Sequence, residues 1–484
     1  MRQPRGVLLP PITKARPRRG DIYHALRTAI LNGVLAAGEK LPSTRHAAGD
    51  YGVSRGTVEE VFAQLTDEGF LQRAVGRGTF VAAAATRLNT SRRHNGGRPV
   101  LHLARRGKGI AANAACREPA VLRAFNAGIA DTSEFPWAKW QRLVARAGRE
   151  LGHSAMVFAD PRGLPKLRSA ISRYLAQFRG IGCDARQVVI FNSAQQALNA
   201  LSILLLNRGD EVCIEDPCYL GARAAFSLAG ANLVPVPVDD EGIRVDTGTR
   251  RCATARLAYV TPSHQYPTGA VLSLERRIEL LEWAARSNSW ILEDDYDGEF
   301  RYEGQPLTSL YSLDSRQRVV YLGTLNKSMF VSLRLAYAVV PEALVEPLAN
   351  IRTQLDGFTQ PVQQMAMSLF MDEGHFPSHL RRMRSVYGAK RVLLTEGLAP
   401  LLAKGWTAPR DAAGMQVMLR HRRGDYVRTV AAQGGLEIAL LSSYRATRQR
   451  DDGLFLRFGA LSADSIKAGI HALLTAEAKS DAQC

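Results

Sequence analysis

The chain has 484 residues, enough for two or three domains, with 46% hydrophobic and 22% charged residues as in soluble globular proteins. No apolar run approaches the roughly 18 residues of a bilayer-spanning helix. The start, Met1-Arg-Gln-Pro-Arg5, has no apolar core or small-residue cleavage site, so no membrane association and a cytoplasmic location are expected. Net charge is +18 but unevenly placed: residues 1–110 hold 19 Lys/Arg against 7 Asp/Glu, a surplus of 12 that leaves only 6 for the other 374 residues. A cationic end of this kind is the electrostatic footprint of a nucleic-acid-binding module. Six cysteines, at 116, 183, 213, 218, 252 and 484, show no Cys-x-x-Cys or zinc spacing. Reduced thiols and no metal site are expected.

In chain order, Ile22, Leu26, Ala29 and Ile30 recur at helical spacing, and Asn32-Gly33 ends that helix. Ser43 reads as the N-cap of a second helix that stops near Tyr51-Gly52. Ser54 caps a third, whose buried stripe is Val58, Val61, Phe62 and Leu65. Residues 70–81 read as two short strands around a Gly-rich turn. Three helices and a hairpin make a winged helix-turn-helix. The phrases Leu41-Pro-Ser-Thr-Arg45, Val53-Ser-Arg-Gly-Thr-Val58 and Gly76-Arg-Gly-Thr-Phe-Val81 resemble the GntR-type DNA-binding domain over residues 18–83. A recognition helix places its first turn in the major groove, which brings Ser54, Arg55 and Thr57 to phosphates and base edges of double-stranded operator DNA. Ser43 and Arg45 on the preceding helix, and Arg77 and Gly78 on the wing, are the other candidate DNA contacts.

Residues 84–117, rich in Ala, Arg, Asn and Gly, read as a linker. From 118 to 475, strands at Val188–Phe191, Asp210–Glu215, Leu257–Val260, Trp290–Glu293 and Val319–Leu322 are separated by helical signals such as Gln195–Leu206. That alternation predicts an α/β domain with a mostly parallel central sheet covered on both faces.

Two clusters carry chemistry. Lys327 lies seven residues before Arg334, just after a β-rich run. The spacing suits an amine that forms a Schiff base with the aldehyde of pyridoxal 5'-phosphate (PLP) and an arginine that pairs with its phosphate. In Ile291-Leu-Glu-Asp-Asp-Tyr296, Asp294 sits at a strand's carboxyl end, where it could keep the pyridine nitrogen protonated, and Tyr296 would point the same way.

The motifs Thr261-Pro-Ser-His-Gln-Tyr-Pro-Thr-Gly269, Glu293-Asp-Asp-Tyr-Asp-Gly-Glu-Phe-Arg-Tyr302 and Gly323-Thr-Leu-Asn-Lys327 with Leu333-Arg334 resemble the MocR family, over residues 18–475. That family joins a GntR-type winged helix to a large PLP-dependent fold type I aminotransferase-like domain. The resemblance implies that Lys327 binds the PLP aldehyde, Asp294 the pyridine nitrogen, Tyr296 the ring hydroxyl, and Arg334 with Thr324 the phosphate. It places the Tyr219 ring on the cofactor and the His264-Gln265-Tyr266 segment, Tyr266 first among the candidates, against the ring oxygen. It also implies a homodimer.

Three departures stand out. Asn192-Ser193-Ala194-Gln195-Gln196 replaces the family's Ser-Gly-Ser-Gln-Gln phosphate loop, Phe158-Ala-Asp-Pro161 replaces Tyr-Gly-Asp-Pro, and Asn326 replaces a small serine. Each hydrogen bond lost to a charged phosphate costs roughly 1.5–3 kcal/mol, on the order of ten- to a hundredfold in affinity. For an amino compound, Arg457 in Leu454-Phe-Leu-Arg-Phe-Gly459 is the candidate carboxylate clamp, two residues from the family position but on the same strand face; Arg445 is a second candidate. The expected function is a transcriptional regulator that senses PLP or an amino compound joined to it. The alternatives are a working aminotransferase with an accessory DNA-binding domain, and a DNA-binding protein whose large domain only dimerises. The first 83 residues and the altered phosphate loop favour the regulator.

Overall fold

The computed structural model describes residues 9–12, 14, 17–87, 103, 104, 107, 108, 111, 121–304, 307–409 and 413–482, so most of the expected linker lies outside the described residues. The chain divides into two compact units, Met1–Leu103 and Ala104–Cys484.

The small unit holds α1 (Arg19–Leu31), α2 (Thr44–Tyr51), α3 (Arg55–Asp67) and a hairpin of β1 (Leu71–Ala74) with β2 (Gly78–Val81). Ile22, Leu26, Ala29 and Ile30 of α1 and Val58, Val61, Phe62 and Leu65 of α3 are buried in one core. The Ser43 and Ser54 hydroxyl oxygens accept from the backbone N–H groups of His46 and Thr57, capping α2 and α3. Gly52, at φ 64°, ends α2 in the left-handed conformation that glycine adopts without cost. A short helix, Ala83–Arg87, follows the wing, and its Ala85 joins the same core, so packing continues past residue 84.

The large unit is built on a sheet of β3 (Val188–Phe191), β4 (Glu211–Asp216), β5 (Asn232–Asp239), β6 (Gly242–Ile243), β7 (Leu257–Val260), β8 (Trp290–Asp295), β9 (Val319–Thr324) and β10 (Ala336–Val339). Their order is β3-β10-β9-β8-β7-β4-β5-β6. The pairs β4/β5, β4/β7, β7/β8 and β8/β9 are parallel, while β10 runs antiparallel to both β3 and β9. Alternate residues of β3 enter different cores: Val188 and Ile190 pack with Tyr321 and Tyr337, Val189 and Phe191 with Val320 and Leu322. Burial on both faces explains why these strands read as unbroken apolar runs. A second, antiparallel sheet of β11 (Gln416–His421), β12 (Ala439–Leu440) and β13 (Asp452–Arg457) has the order β11-β13-β12.

Two features depart from the sequence reading. β5, broken by Pro235 and Pro237, and β10, whose Ala336-Tyr-Ala-Val339 is half alanine, are strands that the sequence reading does not include. The expectation of reduced thiols is overturned for one pair: Cys213 on β4 is disulfide-bonded to Cys252 just after the helix Val245–Arg251. Folding brings that helix end against β4, which a separation of 39 residues does not reveal. Cys183 and Cys218 are free. Among the described residues no helix is long and apolar enough to cross a membrane, and no group of three or more His, Cys, Asp or Glu is arranged to hold a metal ion.

Candidate functional sites

Strand register gathers the candidate residues on one edge of the large sheet. Ala336 of β10 pairs with Thr324 on one side and Phe191 on the other, Asp295 pairs with Gly323, and Glu293 with Val260. The segments following β3, β4, β7, β8 and β9 therefore leave from the same edge. They carry Asn192–Gln196, Tyr219, Tyr266, Tyr296 and Lys327. Arg334 reaches this edge because β10 runs the opposite way and starts two residues after it. It is exposed, has a left-handed φ of 55°, and makes no ion pair among the described residues. Asn326 earns its place structurally: its side-chain oxygen accepts from the Leu335 N–H at 3.1 Å, tying the lysine turn to the residue beside Arg334, and its own N–H donates to Thr324 Oγ1 at 3.3 Å.

The half-buried Lys327 amine donates to the Gly128 carbonyl. A Cβ at Gly128 would stand 3.2 Å from Arg457 Cδ and 3.3 Å from Lys327 Nζ, so lysine and arginine converge on a glycine where even a methyl group would make them shift by a few tenths of an ångström. Arg457 ends β13, its guanidinium 5.5 Å from the Phe455 ring centre on the same strand face. Arg445 is engaged elsewhere, bonded to the Asp451 carboxylate at 2.9 Å and carbonyl at 2.7 Å. Of the two candidate arginines, Arg457 is the one beside Lys327.

Three adjacent acids on β8 are separated by their partners. Glu293 accepts from the Leu310 and Tyr311 backbone N–H groups, and burial pushes its carboxyl up to about 7. Asp295 pairs with Arg179 and accepts from Tyr321 at 2.6 Å. Asp294 accepts from the Tyr259 hydroxyl at 2.7 Å. Burial pushes Asp294 up to about 6, opposed by the Tyr259 hydrogen bond and the Lys327 charge.

The Tyr296 hydroxyl accepts from Gln416 Nε2 at 2.9 Å and lies 3.0 Å from His264 Nδ1. His264 is held by Asp297, and the Gln265 amide donates to Glu215 and to the Pro217 carbonyl. Tyr266 instead joins an aromatic group, edge-on to Tyr219, Tyr296, Tyr444 and Phe455 at centroid distances of 5.4–5.6 Å. In the altered phosphate loop, Ser193 Oγ caps the helix Ala194–Leu205 by accepting from Gln196 N at 3.1 Å. Gly128, Tyr259 and Gln416 were not identified from sequence; none lies in a motif, and only the folded chain brings them in.

On the small unit, Ser43, Arg45, Ser54, Arg55, Arg77 and Gly78 are exposed and Thr57 is half-buried. Arg73 pairs with Glu59 and Arg19 with Glu60, whereas Arg45, Arg55 and Arg77 form no ion pair among the described residues. Cations without acidic partners on a helix start and a wing suit phosphate contact. Lys40, not singled out from sequence, is exposed and bridges to Phe80 on the wing strand.

Residues 129–444 match the family described as aminotransferase class I and II, and residues 18–81 match the bacterial regulatory proteins of the gntR family. The chain is 35% identical to the probable rhizopine catabolism regulatory protein MocR of Rhizobium meliloti, over 95% of this chain and 94% of that one. It is 28% identical to the HTH-type pyridoxine biosynthesis transcriptional regulator PdxR of Corynebacterium glutamicum, over 92% and 93%. Among solved structures it resembles LysN, the α-aminoadipate aminotransferase of Thermus thermophilus complexed with N-(5'-phosphopyridoxyl)-L-leucine. That match has a TM-score of 0.68 and 26% identity, over 74% of this chain and 93% of that one. With a winged helix ahead of an aminotransferase-like unit, and a relative of that architecture aligned along nearly its whole length, the chain belongs to the MocR family of GntR-type transcriptional regulators.

Proposed function

We propose that this regulator binds operator DNA through α2, α3 and the wing, and that its aminotransferase-like unit takes up PLP, alone or joined to an amino compound, and thereby alters DNA affinity. The carrying observation is the convergence of Lys327 and Arg457 on Gly128, close to the buried Asp294. A relative named for pyridoxine biosynthesis supports a vitamin B6 compound as effector. PLP supplies an aldehyde that an amine can trap and a ring that accepts electrons.

The residues present fit such a group. The Gly128 carbonyl orients the Lys327 amine toward the site. Asp294 offers a carboxylate for a protonated ring nitrogen, and the Tyr259 hydrogen bond keeps that carboxylate in place. Tyr219 covers the ring, while Tyr266 and Tyr296 serve its oxygen. Asn192, Ser193, Ala194 and Thr324 form the phosphate cradle with Arg334, at the start of the helix Ala194–Leu205. Arg457 receives the carboxylate of an amino compound.

The protein acts as a homodimer in this reading. Met156, Val157 and the 95%-exposed Phe158 form a contiguous apolar stretch next to Phe358, the kind of surface that a second copy would cover.

Adding PLP should produce a visible absorption band that is lost in Lys327→Ala; a wild type that stays colourless with excess PLP would remove the sensor. Retention of Arg457 beside Lys327 also permits amino-group transfer. Sustained turnover at typical enzyme rates of about 1–10³ s⁻¹ would move the assignment to an aminotransferase.

A further inference from the structure

Asp356 follows the helix Glu342–Leu355, at an end where the helix dipole disfavours an acid. Its carboxylate is nonetheless fully engaged. Arg352, wholly buried, donates Nε to Oδ1 at 2.9 Å and Nη2 to Oδ2 at 3.2 Å. The same Oδ2 accepts from Asn192 Nδ2 at 3.0 Å and from Gln196 Nε2. Both amides belong to the loop proposed to cradle the phosphate. The loop is closed on itself as well, since Asn192 N donates to Gln196 Oε1 at 2.7 Å. One carboxylate oxygen thus collects two of the three side-chain amides of that loop, the third, Gln195, donating to the Gly221 carbonyl. Arg352 anchors the arrangement from below, donating to the Ile190 carbonyl and to Thr359 Oγ1 at 2.9 Å and stacking its guanidinium 5.0 Å from the Phe191 ring centre.

We propose that Asp356 is a built-in competitor for the phosphate cradle: an incoming phosphate must take the Asn192 and Gln196 amides from it or bind beside its negative charge. This rests on the PLP reading of the site and deepens it, because it makes phosphate affinity an adjustable property of a residue outside every motif. A dianion gains from removal of a nearby like charge, and Arg352, freed of its partner, adds attraction in the same direction. The opposite role, a clamp that holds Asn192 ready for phosphate, predicts the opposite sign.

The test uses the full chain and two neutral variants, Asp356→Asn and Asp356→Ser. Visible absorbance gives dissociation constants for PLP and for pyridoxal, the same aldehyde without phosphate. The PLP constant should fall about tenfold in both variants while the pyridoxal constant stays within about twofold. In parallel, inorganic phosphate should raise the melting midpoint of each variant more than that of the parent, a readout that needs neither PLP nor Lys327. If the parent shows no PLP band but the phosphate difference persists, the PLP reading falls and the competitor stands. Unchanged or weaker phosphate and PLP binding, or failure of both variants to fold, would overturn it and make Asp356 a structural clamp.

Discussion

The two units use charge in opposite ways. On the small unit the candidate cations are exposed, and Arg45, Arg55 and Arg77 form no ion pair among the described residues. In the large unit most of the candidate groups are partly or wholly buried and held by partners distant in sequence, Lys327 by Gly128, Asp294 by Tyr259 and Tyr296 by Gln416, the exposed Arg334 being the exception. Exposed cations bind by long-range, salt-screened attraction and need little positioning. Buried groups bind a small molecule by fit, so sub-ångström crowding matters to them.

Substitutions in the two units should therefore differ in size and in salt dependence. The largest effect is expected from Gly128→Val, whose side chain would fill the space between Lys327 and Arg457. PLP and amino-compound binding should fall on the order of a hundredfold, with the melting curve of the small unit unchanged. Asp294→Asn should weaken PLP about ten- to a hundredfold by removing a charged partner of the ring nitrogen. The apo protein should respond with the opposite sign. The Asp294 carboxyl is raised by burial to about 6, so it favours the fold at low pH and loses that contribution as pH rises toward and through 6. Asp294→Asn should then melt above the parent at pH 7.5, and the gap should close as pH falls toward 4; a gap that widens on acidification would refute the burial explanation.

Smaller changes are expected on the DNA side. Arg55→Ala should weaken duplex binding by about tenfold and lower the slope of log affinity against log salt by about 0.9, if one phosphate contact is lost. The PLP band should not move. Ser54→Ala should cost the small unit about 1 kcal/mol through its cap, measured as a melting shift confined to that unit.

The same contrast decides what could be read from sequence. Ser43 and Ser54 cap helices three residues away, and the α1 and α3 stripes follow helical spacing, so the small unit is written locally. Lys327 and Asp294 are legible because one follows an apolar strand and the other stands near the end of one, which announces the sheet edge. Their supports are not: Gly128 and Lys327 are 199 positions apart, Gln416 and Tyr296 120, Asp356 and Asn192 164. Such pairs arise from strand order, and β10, which the sequence reading did not foresee, sets Ala336, two residues after Arg334, opposite Phe191, the residue before Asn192. Likewise, the sequence ranks Arg457 ahead of Arg445 by its place on a strand, and what sets Arg445 aside in the fold is the Asp451 carboxylate that holds it.

The central claim is that one lysine links vitamin B6 capture to DNA affinity. The direct measurement is a PLP titration of the full chain, with the visible band and the anisotropy of a labelled duplex selected by the protein recorded on the same sample. Both signals should change with a shared midpoint, and neither should change in Lys327→Ala. A band that saturates while duplex affinity stays constant, or duplex affinity that shifts equally in Lys327→Ala, would contradict it.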